Sequence, residues 1–141
     1  MEIIQLKPEQ ITRGILNLLL QLNDTRRLTI SGAKLIIERQ IKRDHFTYVM
    51  YDEGVPVGIG SIILSERLIH NGAIVAEIED VSVHKDFHGR GYGKLLVKHL
   101  IKVAKKSGAY KCILCCSDEN IGFYLRVGMS RYHNQMRIDL K

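Results

Sequence analysis

The run His88-Gly89-Arg90-Gly91-Tyr92-Gly93-Lys94 limits most strongly what this chain can become: it sets three glycines at alternate positions immediately before a helix-forming stretch. Glycine adopts backbone conformations closed to other residues and lets a ligand approach the main chain. From Tyr92 to Lys106 the apolar residues recur at helical spacing, and Ser107-Gly108 then ends the stretch with a glycine suited to a left-handed cap. A helix that starts there points its free N–H groups and positive dipole end into the loop, where a pyrophosphate would find donors and a favourable field. Arg90 and Lys94 add charge on either side. Two other phosphate loops are excluded. A nucleotide P-loop needs Ser or Thr after Gly-Lys, and Leu95 stands there. The dinucleotide fingerprint needs a glycine where Lys94 stands.

The surrounding pattern supplies a sheet for that helix. Residues 2–6 read as an edge strand. Pro8 can open a helix carrying Ile11, Ile15, Leu18, Leu19 and Leu22, a polar loop follows at 23–27, and a second helix covers 31–43 with Ile36, Ile37 and Ile41 inward. Phe46 to Tyr51 and Val57 to Leu64 form a hairpin across Asp52-Glu53-Gly54. Ile74 to Val83 is a third strand, Tyr110 to Cys116 another, Asp118 to Val127 a short helix capped by Ser117 or Asp118, and Tyr132 to Leu140 a last strand. This order predicts one α/β (α+β) domain over 1–141, with a mixed, mostly antiparallel sheet flanked by helices. Within the third strand, Glu79-Asp80 sets two carboxylates in an apolar run. Buried and unpaired they would be costly, so a bulge or cleft wall is expected there.

Composition excludes some functions. No apolar stretch is long enough to span a bilayer, and the start lacks a basic-then-apolar signal pattern, so a soluble cytoplasmic protein without a membrane partner is expected. Cys112, Cys115 and Cys116 are odd in number and clustered, which argues against a disulfide framework; they read as free thiols buried in a strand. His70, His84, His88 and His133 lack metal-ligand spacing, and no metal is expected. The net charge of +6 favours anionic partners. Lys94, Lys98 and Lys102 recur every four residues as a solvated helix face, with no basic run carrying interleaved aromatics, so nucleic acid is not expected.

The stretch from Glu79 through His88-Gly89-Arg90-Gly91-Tyr92-Gly93-Lys94 to Leu96 resembles the core of the GNAT acetyltransferase superfamily, in which a strand runs into a loop of the pattern Arg/Gln-x-x-Gly-x-Gly/Ala; His88 holds the Arg/Gln place. Downstream, Asn120-Ile121-Gly122-Phe123-Tyr124, with Gly128-Met129, resembles that superfamily's Asn…Phe-Tyr…Gly-Phe helix. Ile62 to His70, Ile78 to Val81 and Tyr110 to Leu114 are similar to its glucosamine-6-phosphate N-acetyltransferase branch.

The resemblance implies the GNAT fold, with acetyl-CoA as co-substrate. It also implies acetyl transfer to the amine of glucosamine 6-phosphate, on the route to UDP-N-acetylglucosamine, by direct attack in a ternary complex. By the same likeness, the backbone of Val81, Ser82 and Val83 serves the pantetheine arm. Gly89, Arg90, Gly91, Tyr92, Gly93 and Lys94 hold the pyrophosphate, and Asn120 and Tyr124 lie near the thioester. Arg67, Leu68, Ile69, His70, Glu79 and Asp80 line the sugar phosphate site. Tyr124 would donate to the leaving thiolate, while Glu79 and Asp80 hold the sugar or help remove the amine proton. Cys115 stands where the branch has an Asp beside the amine. Asp139 stands where it has a phosphate-gripping Arg; Arg137 or Lys141 could substitute, with Arg137, on the same face of the expected last strand, the better placed. In the branch two chains pair by exchanging that strand, which implies a homodimer. Two other readings stay open: a GNAT enzyme acting on another small amine or a protein amine, and a non-catalytic acyl-CoA-binding module.

Overall fold

Alternating apolar residues build the sheet, and two helical faces cover it. The computed structural model describes residues 1–141. Five strands lie in the order β1-β2-β3-β4-β5: β1 Glu2–Gln5, β2 His45–Asp52, β3 Val55–Glu66, β4 Ile74–Val83 and β5 Ala109–Ile113. β1 to β4 are antiparallel neighbours, and β5 runs parallel to β4. The helices are α1 Arg13–Leu18, α2 Ile30–Ile41, α3 Tyr92–Lys106 and α4 Ile121–Arg126. This is the mixed, mostly antiparallel arrangement that the sequence predicts.

Successive strand residues face opposite ways, so Val49 and Met50 belong to different cores. Val49 and Ile59 pack under α1 and α2 with Ile15, Leu18, Ala33 and Ile37. Met50 and Val57 pack under α3 with Leu96, beside a cluster of Ile62, Ala76, Ile78, Val97, Leu100 and Ala104. Leu96, Val97 and Leu100 are wholly buried, and burying each such side chain contributes about 1.5–3 kcal/mol. Gly60 lets α3 come this close: a Cβ there would sit 3.0 Å from Leu100.

The structure departs from expectation in several places. Pro8 opens only a 3-10 turn, Pro8–Gln10; Ile11 is extended, and Thr12 restarts the helix by accepting the Ile15 N–H at 3.3 Å. A second 3-10 turn, Leu19–Gln21, follows α1 and carries Gln21 towards β4. Of the inward residues expected on the second helix, Ile37 is buried and Ile36 and Ile41 are half-buried. The short downstream helix is a 3-10 turn, Asp118–Asn120, leading into α4, and neither Ser117 nor Asp118 caps it through a side chain.

β5 stops at Ile113, short of Cys116, where its ladder with β4 ends at Glu77. Only Cys112 is a partly buried strand thiol, and burial pushes its pKa up to about 11; Cys115 and Cys116 lie exposed beyond the strand. The expected last strand does not form. Residues 130–141 are irregular, with Met136 and Leu140 almost fully exposed. The segment pairs with no edge of its own chain, and an unpaired strand in water gains nothing from extension.

Candidate active site

The site begins at the adjacent carboxylates. β3 pairs Ser61 with Glu79 and then Ile59 with Ser82, so Asp80 and Val81 together face the single residue Gly60. That is the expected bulge. Asp80 takes φ 53, a left-handed conformation that Asp tolerates better than most side chains. Both carboxylates emerge exposed, which removes the cost of burying them. β4 parts from β5 just before the bulge, where their ladder ends at Glu77 and Ile113. The His84 N–H donates to the Val57 carbonyl at 2.8 Å. By alternation, Ser82 and His84 turn their main-chain groups to β3, and Val81 and Val83 turn theirs to the open edge.

This edge leads into the glycine loop. Gly89 and Gly91 have φ 78 and 80, and a Cβ on either would meet nothing within 4 Å, so what the loop requires of them is conformational freedom. Gly91 forms the N-cap of α3 without a side-chain cap, which leaves the first helical N–H groups for a ligand. Gly93 has a different task. A Cβ there would sit 3.3 Å from the Phe123 ring, so the missing side chain is what lets α4 lie against the start of α3. Tyr92 turns away and anchors the loop: its hydroxyl donates to Asp52 Oδ2 at 2.6 Å, its ring stacks on Phe87, and the Arg90 guanidinium lies 4.8 Å over that same Phe87. Only the main chain of Tyr92 remains for a phosphate.

α4 carries Tyr124, half-buried and edge-on to Phe123 at 4.9 Å. Burial, helped by Cys116, holds its phenol above the usual value of 10, so the proton stays on at neutral pH. Asn120, one position before α4, donates its amide to Ser117 Oγ at 3.2 Å. Although Glu79 is exposed, partial desolvation of its carboxyl by the surrounding protein raises its pKa, and the charges of Glu77 and Asp80 add to the effect. His45 shares a row with Ile63 and Glu77 across β2, β3 and β4. Its Nε2 is buried without a partner, and burial lowers its pKa against the pull of Asp80.

The fold thus runs Glu79, Asp80, Val81 and Val83 along one strand into the 89–94 loop, and Phe123 of α4, the neighbour of Tyr124, packs against Gly93 of that loop. Other sequence-predicted residues lie elsewhere. Arg67 to His70 sit beyond the far end of β4, and Ile74 to Asp80 alone spans roughly 20 Å. There His70, Asn71 and Gly72 form a left-handed turn, and the His70 ring lies 4.7 Å from Tyr110. Arg137 is spent on Asp139, at 2.7 Å from its Nε, in the irregular tail. The Ser82 side chain faces inward and donates to the Leu18 carbonyl at 2.6 Å. Sequence reasoning missed Gln21, whose Nε2 donates to the Val83 carbonyl at 2.8 Å and to Ser82 Oγ at 3.1 Å. Its one local signal is a polar residue between Leu20 and Leu22 in an apolar run.

Comparison with known proteins places this geometry. The model of the acetyltransferase (GNAT) family matches residues 16–129. The glucosamine 6-phosphate N-acetyltransferase of Schizosaccharomyces pombe is 40% identical over 81 residues, which cover 57% of this chain and 73% of the relative. That of Arabidopsis thaliana is 35% identical over 128 residues, 88% of this chain and 86% of the relative. In another relative the match spans only 50% of its length. The crystal structure of the Arabidopsis thaliana enzyme superposes with a TM-score of 0.91 at 33% identity, covering 99% of this chain and 98% of that one.

Proposed function

Because the chain belongs to the GNAT acetyltransferase family, we propose that it transfers an acetyl group from acetyl-CoA to the amine of glucosamine 6-phosphate, giving N-acetylglucosamine 6-phosphate. The observation that carries this is the open edge of β4: carboxylates at its bulge, a phosphate-suited loop at its end and, on the helix packed against that loop, a neutral phenol. Acetyl-CoA fits these parts. The α3 N-terminus and Arg90 suit its pyrophosphate, and the main chain of Val81 suits its pantetheine amides. Glu79 and Asp80 are placed to hold the sugar and to take the proton of an entering ammonium. The neutral amine attacks the thioester carbonyl and the N–H groups of the open edge stabilise the oxyanion; its collapse breaks the C–S bond, the Tyr124 hydroxyl protonates the departing thiolate, and the proton shed by the nitrogen restores Tyr124. Holding both substrates on one edge supplies much of the rate.

Thiol release from acetyl-CoA over a panel of amines tests the assignment. We expect glucosamine 6-phosphate to react best. If that sugar is inert while a polyamine, an amino acid or a peptide amine reacts, the acceptor is another amine; coenzyme binding with no release from any amine favours the non-catalytic reading.

The second half of the sugar site comes, in this proposal, from a second copy. Arg67 to His70 lie far from Asp80 within one chain, and the apolar residues Tyr132, Met136, Ile138 and Leu140 stand exposed on a tail without a strand partner. A homodimer exchanging residues 130–141 gives that tail a ladder and buries those side chains. Light scattering should give twice the 16.1 kDa chain mass, and a persistent 16.1 kDa particle at assay concentration would refute the exchange. Three free thiols and a soluble co-substrate suit work in the cytoplasm.

A further inference from the structure

We propose that Cys115 and Cys116 are a redox-sensitive dithiol: a hydroperoxide joins their sulfurs in a disulfide, and the closed ring lowers activity by displacing Tyr124. The effect on the reaction rests on the acetyltransferase reading above; the chemistry of the pair does not. All three cysteines are free, and position divides them. Cys112 sits in β5, partly buried against the cluster of Ile78, Val97 and Leu100, and burial keeps its thiol protonated. Cys115 and Cys116 lie exposed in the irregular stretch between the end of β5 at Ile113 and the turn Asp118–Asn120. In a strand, neighbouring side chains point to opposite faces. Neither residue belongs to the β4–β5 ladder, so the backbone is free to bring the two sulfurs together.

The thiolate of one cysteine attacks a peroxide oxygen; the O–O bond breaks, water or an alcohol leaves, and the sulfur becomes a sulfenic acid. The neighbouring thiolate attacks that sulfur, the S–S bond forms, and the departing hydroxide takes a proton and leaves as water. Two electrons pass from the sulfurs to the peroxide. Adjacent Cα atoms are about 3.8 Å apart, closer than the roughly 4.4–6.8 Å of ordinary disulfides. The ring is therefore strained and easily reduced, which suits a reversible switch and not a structural bridge. The pair also adjoins the chemistry. The charge of Cys116 is felt at the Tyr124 phenol. Ser117, next in the chain, accepts the Asn120 amide on Oγ at 3.2 Å and the Asn120 N–H on its carbonyl at 3.0 Å, which sets the turn into α4. Closing the ring pulls on Ser117 and, through that turn, on the helix that carries Tyr124.

Brief treatment with hydrogen peroxide, followed by mass spectrometry of the whole chain and its peptides, tests the pair. We expect the chain to lose two hydrogens from the peptide holding Cys115 and Cys116. Thiol release from acetyl-CoA should fall at least about tenfold, as partial loss of a positioned acid implies. Dithiothreitol should restore both. Cys112→Ser should still lose the hydrogens; Cys115→Ser and Cys116→Ser should not, and their activity should resist the peroxide. Phenylarsine oxide gives a second route if a serine variant does not fold. Its arsenic forms two As–S bonds with paired thiols and releases water, so one phenylarsenic group per wild-type chain, stable to excess monothiol, supports the pair, and no stable adduct overturns it. A product confined to one cysteine, a bridge between two chains, or a closed ring with unchanged activity also overturns the proposal. If the wild-type protein releases thiol with no amine, the acetyl-transfer reading fails by itself. The mass change then decides the dithiol, and the ring-proton resonances of Tyr124, edge-on to Phe123, decide the displacement: a shift on oxidation supports it and constancy sinks it.

Discussion

Tyr124→Phe is expected to lower kcat about 100-fold while the KM for acetyl-CoA and the melting temperature stay nearly constant. The expectation follows from what the substitution keeps. The ring still packs edge-on to Phe123, so α4 keeps its place against the start of α3. Only the hydroxyl is lost. Burial holds its proton on, which makes it a donor and not a base near neutral pH. A positioned acid of this kind contributes typically about 100-fold or more. The thiolate would then leave without a proton from the protein, a penalty felt in the transition state and not in coenzyme binding. Activity within threefold of wild type would show that the thiolate leaves unaided and that Tyr124 only fills space. A large drop in melting temperature would assign the loss to packing.

Gly91→Val is expected to weaken acetyl-CoA binding about 100-fold, through the backbone alone. Gly91 sits at φ 80 as the N-cap of α3, with nothing within 4 Å of where its Cβ would be. There is room for a side chain, so a clash cannot account for a loss. The left-handed conformation is what a β-branched residue resists, at a cost of about 1–2 kcal/mol. The loop relieves that strain by turning, and the N–H groups at the helix start turn with it. Each hydrogen bond to a charged group is worth about 1.5–3 kcal/mol, so losing one or two gives the stated weakening. Calorimetry with CoA reads it directly. A Kd within threefold of wild type would mean that the phosphates are held by Arg90 and Lys94 and not by the main chain. Tyr92→Phe is a useful contrast, because it removes the anchor to Asp52 and keeps the stacking on Phe87 and the positive φ of Gly91.

What the sequence determined by itself is the local conformation. β4 spans Ile74–Val83 and α3 spans Tyr92–Lys106, as read from alternation and helical spacing, because both periods are set by bonds within the segment. The Glu79-Asp80 bulge was legible too, since two neighbouring carboxylates cannot both be buried in a pleated strand. The glycine loop was legible as a phosphate site, but not the division of labour within it. Gly89 and Gly91 supply positive φ, while Gly93 is small for the sake of Phe123, a contact between two helices that local sequence does not encode.

Tertiary structure alone decided the rest. It broke the helix expected from Pro8 and delivered Gln21 to a carbonyl 62 residues away. It carried Arg67 to His70 to the opposite end of β4 from Asp80 and left residues 130–141 without a ladder. A residue's backbone preference is written in its neighbours along the chain. Its contacts depend on which surfaces meet when the two cores close on either face of the sheet. That is why the elements around the open edge could be read one at a time, and the contact of Gln21 with Val83 could not.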